Sequence, residues 1–90
     1  MTPQIRTLEH LAYIYECITL DIMGEGKDEL AKLAALLEND ERYSFPGSKS
    51  VSESLKKVAS LYRDHEYREA AGILSRVSRS IWQEVMKEHA

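Results

Sequence analysis

Ninety residues with 43% hydrophobic and 30% charged side chains form one small folded domain, too apolar for intrinsic disorder and too short to bury a large core. A net charge of −3 argues against wholesale attraction to nucleic acid, and no run of about 18 apolar residues is present to form a transmembrane helix. Cys17 is the only cysteine, so no internal disulfide can form. With no basic-then-apolar leader pattern at the N-terminus, the expected location is cytoplasmic, with no membrane association.

The first predicted helix runs from about Pro3 to Met23. Thr2 can cap it, Pro3 suits its first turn, and Gly24 can stop it in a left-handed conformation. At about 100° per residue, Ile5, Leu8, Leu11, Ala12, Ile14, Tyr15, Ile18 and Ile22 share one half of the wheel, which predicts a broad buried face. Arg6, Glu9, His10, Glu16 and Asp21 occupy the other half.

The second helix is expected from about Lys27 to Asn39, with Asp28 and Glu29 favoured by the dipole of its first turn. Leu30, Leu33, Ala34 and Leu37 give an i, i+3, i+4, i+7 stripe. The short Gly24–Gly26 joint makes helices one and two an antiparallel hairpin over residues 3–39.

A linker over residues 40–50 follows. Its "FPGSKSVSES" end resembles the tail of a phosphate-binding loop, but Ser48 separates Gly47 from Lys49, and the preceding "ENDERYS" is no buried strand. Pro46-Gly47 reads as a turn. Ser50 with Glu53 reads as a capping box for the next helix.

That third helix is expected from about Val51 to Arg63, with Val51, Leu55, Val58, Ala59 and Tyr62 as its stripe. The fourth is expected from about Glu66 to Glu88, with Tyr67, Ala70, Ile73, Leu74, Val77, Ile81 and Val85 inward. The brief "RDHEY" joint pairs them in a second hairpin over residues 51–88. "ASLYRDHEYREAAGIL" has the cadence of a tetratricopeptide helix pair, which any helical hairpin shares. A solenoid needs about three repeats, and the first half does not repeat it, so the cadence assigns no family. The expected fold is all-α, a single domain over residues 1–90 built from two antiparallel helical hairpins. A closed four-helix bundle and an open two-hairpin array both fit.

Motifs that carry chemistry are few. A calcium loop starting at Asp21 would put Met23 and Lys32 at ligand positions, which excludes it. His10, Cys17 and Asp21 share a stripe, but the helix rise sets His10 and Cys17 about 10 Å apart, too far for one metal or a direct proton relay. His65 and His89 lie at a joint and at the C-terminus. No catalytic, cofactor-binding or metal-ligating set is expected, and no enzymatic activity.

Two surface features invite a function. Arg68, Arg76 and Arg79 form a basic ridge on the last helix, suited to phosphates or carboxylates or simply to solvent. Tyr13, Leu20, Trp82 and Met86 fall outside the core stripes, and Tyr43 and Phe45 stand in the linker. These are types enriched at interfaces. The charge is uneven as well: residues 1–45 carry four Lys/Arg and nine Asp/Glu, a net of −5, whereas residues 46–90 carry eight and six, a net of +2. The expectation is a small self-associating interaction module, of adaptor, co-chaperone or inhibitor type. The alternative is a nucleic-acid-associated regulator using the arginine ridge.

Overall fold

The computed structural model describes residues 2–20 and 25–88. They form four α-helices, α1 (Pro3–Thr19), α2 (Glu25–Asn39), α3 (Ser48–Arg63) and α4 (Tyr67–Glu88), with a single 3₁₀ turn at Glu41–Tyr43. No strand occurs among the described residues.

Each helix packs on its neighbours in the chain, and α1 closes the ring against α4. Neighbouring pairs run antiparallel. Gly26 of α2 lies against Cys17 and Ile18 of α1, while His10 reaches Glu29. Gln4 lies beside Ser80, Ile81 and Glu84, while Leu8 to Tyr15 lie beside Ala71 to Ser78. The ring is therefore the closed bundle of the two arrangements that the sequence allows. Its most extensive interface joins α2 to α3, across the linker. The core is almost wholly aliphatic, centred on Ile14, Leu30, Leu33, Leu55 and Val58.

The helices begin and end for identifiable reasons. Thr2 accepts a hydrogen bond from the Ile5 N–H, and Pro3 fills the first turn of α1. This helix stops at Thr19, short of the expected Met23, and Leu20 leaves helical geometry after donating its N–H to the Glu16 carbonyl. The Thr19 hydroxyl donates to the Tyr15 carbonyl at 2.6 Å, a competing bond that favours a helix end. The expected stop at Gly24, and with it Asp21, Ile22 and Met23, lies outside the described residues, as does His89. Helix α2 starts earlier than expected. Gly26 is already in its first turn, and a Cβ added there would sit 3.2 Å from Ile18 Cγ1, so a glycine permits the close approach of α1 and α2.

The capping box expected at Ser50 and Glu53 does not form. Helix α3 starts at Ser48, and Gly47 is its N-cap with φ 96° and no side-chain cap bond. The Pro46-Gly47 turn runs straight into the helix: Ser48 N–H donates to the Phe45 carbonyl, and Val51 N–H donates to Gly47. Ser50 is thus inside the first turn, too late to cap it. At the other end α3 closes in a Schellman motif. Glu66 N–H donates to the Leu61 carbonyl and His65 N–H to Tyr62. The left-handed position is taken by His65, at φ 62°, where a glycine is commonest. Its Nδ1 lies 2.6 Å from the Tyr67 hydroxyl.

Burial follows the stripes on α2 and α3 closely, and on α1 less so. The buried line of α1 is Thr7, Leu11, Ile14 and Cys17. Ala12 and Tyr15, expected in the core, are exposed. The inward face is rotated towards α2 and the linker, so the rim of the broad stripe turns outward. Tyr67 is likewise exposed at the start of α4, edge-on to Tyr62 at 5.1 Å.

Candidate functional site

The linker was one candidate, and its aromatic residues answer by folding back. Tyr43 and Phe45 are partly buried and packed on the core, so neither joins the exposed set. The Tyr43 ring lies tilted at 57° to that of His10, with centroids 6.4 Å apart, and 6.0 Å from the Arg6 guanidinium carbon. His10 Nε2 in turn sits 2.6 Å from Glu29 Oε2, both side chains being mostly shielded. Asp40 caps the 3₁₀ turn by accepting from Arg42 N–H, and its carboxylate also accepts two bonds from the Arg42 guanidinium. The Arg42 side chain, followed by that backbone bond, lowers the Asp40 pKa from 3.8 to about 2. These contacts tie the linker to α1 and α2, a structural task.

A second polar clamp joins α2 to α3. The buried Ser52 hydroxyl lies 2.9 Å from the Ala34 carbonyl and 3.0 Å from Glu38 Oε1, and its single hydrogen serves one acceptor at a time. Lys56 Nζ donates to the same Glu38 oxygen at 2.6 Å. The Lys56 bond, then the Ser52 bond, hold the Glu38 carboxyl below its ordinary value.

The flank formed by α1 and α4 is different in kind. Leu8, Leu11, Ala12 and Tyr15 of α1 and Ala71, Leu74, Ser75 and Ser78 of α4 line an open recess of about 400 Å³. Small side chains floor it because Ala12, Ala71, Ser75 and Ser78 fall at the line of contact. Tyr15 rises at its edge, and Trp82 and Met86 lie farther along α4, beside a separate recess. Tyr15 is 53% exposed, Trp82 51% and Met86 57%. At about 100° per residue, Trp82 continues the row of Ala71, Ser75 and Ser78 on α4. Tyr13 and Leu20, on the outer side of α1, are also exposed.

Charges border this flank in two rows of opposite sign. On α1 the exposed Glu9 and Glu16, one heptad apart, lie outside the apolar line. On α4 the corresponding outer row holds exposed Arg68 and Arg79, with Arg76 farther round. None of these five side chains makes an ion pair among the described residues. Arg76 also reaches the α3–α4 groove, where Lys57, Ser50, Ser54 and Ser80 line a recess of about 360 Å³. The expected basic ridge is therefore split: Arg68 and Arg79 belong to the α1 side of the helix, Arg76 to the α3 side.

The His10, Cys17 and Asp21 stripe is not brought together. His10 pairs with Glu29, Cys17 is buried, and Asp21 lies outside the described residues. Among the described residues no three His, Cys, Asp or Glu side chains converge on a metal position. No described helix is long and apolar enough to cross a membrane. No family model matches the sequence, and no curated protein or solved structure was found to be similar to it.

Proposed function

We propose that this chain is a small helical interaction module that holds a protein partner on its α1–α4 flank and performs no catalysis. One observation carries the reading: Tyr15 stands half exposed at the small-residue recess between α1 and α4, and farther along α4 Trp82 and Met86 are half or more exposed beside a separate shallow recess. Large aromatic and methionine side chains of this kind supply most of the binding energy at protein interfaces. The mixed-sign border suits recognition by charge as well as by shape.

The test is recovery of a partner from native cell extract. The wild-type chain is expected to retain a stoichiometric protein that Trp82→Ala and Met86→Ala together release. Failure of the purified chain to bind itself or anything else, or retention unaffected by both changes, sinks this reading.

A second reading, association with nucleic acid, is favoured by the exposed arginines of α4. Retention of DNA or RNA that weakens steeply with salt, and a smaller salt slope after Arg76→Ala and Arg79→Ala, would support it. Glu9 and Glu16 beside the ridge work against it, since they would face phosphates.

A further inference from the structure

We infer that the occupant of the α1–α4 flank is a second copy of this chain, related by a two-fold axis that runs parallel to the helices. This rests on the reading of the flank as a docking surface and names its partner.

The argument is one of register and charge. Helices α1 and α4 are antiparallel, with Gln4 level with Ser80 to Glu84 and Tyr15 level with Ala71. The same register carries Glu9 to the level of Arg76 and Arg79, and Glu16 to the level of Arg68 and Gly72. Two faces can meet through a two-fold axis lying in their common plane, in one of two main orientations. An axis across the helices sets α1 on α1 and α4 on α4, so glutamates oppose glutamates and arginines oppose arginines. An axis along the helices sets α1 of one copy on α4 of the other and keeps every residue at its own height. Glu9 then meets Arg79, and Glu16 meets Arg68, twice over by symmetry.

The same operation solves the shape of the flank. Tyr15 of each copy descends on Ala71 and Ser75 of the other, a large side chain over a small floor. Trp82 descends on the Gln4–Ile5 turn. The molecule measures 38 × 25 × 19 Å, so a side along its long axis offers an area on the order of the roughly 800 Å² per partner that stable interfaces bury.

Sedimentation equilibrium of the purified chain tests this. The wild type is expected to pass from monomer to dimer below roughly 100 µM, with association weakened by salt. Glu9→Arg with Glu16→Arg leaves both rows positive, and Arg68→Glu with Arg79→Glu leaves both negative. Each pair alone is expected to weaken self-association roughly 100-fold, because like charges then oppose. An equimolar mixture of the two variants is expected to form a heterodimer. All four changes in one chain exchange the rows and should restore the homodimer; about the crossed axis like rows face like in every one of these homodimers, so neither pair alone would weaken it. Glu9→Gln with Glu16→Gln, milder for the helix, is expected to give an intermediate loss, and circular dichroism checks that each variant is folded. A wild type that stays monomeric, variants that dimerise as well as wild type, or a quadruple variant that stays monomeric overturns the inference. A monomeric wild type that still loses a cellular partner on Trp82→Ala would leave the interaction-module reading standing without this one.

Discussion

The α2–α3 seam and the α1–α4 seam are built from the same kind of helix and finished in opposite ways. Across α2–α3, Leu30, Leu33, Leu55 and Val58 are fully buried, and the Ser52–Glu38–Lys56 clamp satisfies the polar groups at the edge. Across α1–α4, small residues leave a recess, aromatic side chains stand in solvent, and charges of both signs face outward unpaired. A seam that is complete within one molecule serves stability. The seam with the recess and the unpaired charges is the one proposed for recognition, and the difference between the two can be measured.

The sharpest break falls in the closed seam. Leu33→Ala is predicted to destabilise the fold by about 2–5 kcal/mol in urea or thermal unfolding, the cost of a buried cavity. For a domain of this size that is a large part of the total, so the variant should be partly unfolded at 37 °C. A loss below about 1 kcal/mol would mean that the seam can collapse around the cavity, and the contrast would blur. Ser52→Ala is next, at about 1 kcal/mol, since it removes a buried hydroxyl but leaves Lys56 to satisfy Glu38.

Acid should loosen the polar ties of α2 and the linker. Glu38 and Asp40 both have pKa values below their ordinary ones, so each contributes stability above its unfolded value and loses it as pH falls. For Asp40 the window runs from about 3.8 down to about 2. Stability measured across that range should fall less steeply in Asp40→Asn than in the wild type, and equal slopes would reject the assignment. The smallest effect on folding is expected on the open flank. Trp82→Ala should change stability by no more than about 0.5 kcal/mol, as exposed substitutions do, while abolishing association. A larger loss would show that Trp82 supports its own bundle.

Much of this was legible in the sequence, and unevenly. The α2 stripe is legible residue for residue, because Leu30, Leu33, Ala34 and Leu37 leave no choice of inward face. On α1 the apolar residues cover half the wheel, and periodicity alone cannot say which edge of so wide a stripe faces out. The stripe therefore places Tyr15 in the core and omits Thr7 and Cys17, which are buried. Thr7 is satisfied locally by donating to the Pro3 carbonyl at 2.8 Å, which makes its burial cheap and hard to foresee. The width of the stripe was itself the available signal for an outward apolar edge. The Ser50–Glu53 cap failed because a left-handed glycine already supplied the helix start, a backbone solution that a side-chain pattern does not reveal. Trp82 and Met86 were legible as leftovers from a stripe that had no room for them. The pairing of the Glu9 and Arg79 rows was not, since it depends on which helices meet when the ring closes.

That closure has a consequence in time. Three of the four seams join helices adjacent in the chain and need only short loops to form, whereas α1 meets α4 across the whole sequence. Loop-closure entropy favours the local seams first, with the α1–α4 seam completed after the main barrier. In chevron kinetics, Leu33→Ala in the α2–α3 seam should mainly slow folding, and Leu74→Ala in the α1–α4 seam should mainly speed unfolding. The reverse pattern would place α1 in the nucleus. If the order holds, the last seam to shut during folding is also the first to open, and an occupant seated across it would slow the unfolding of the whole protein.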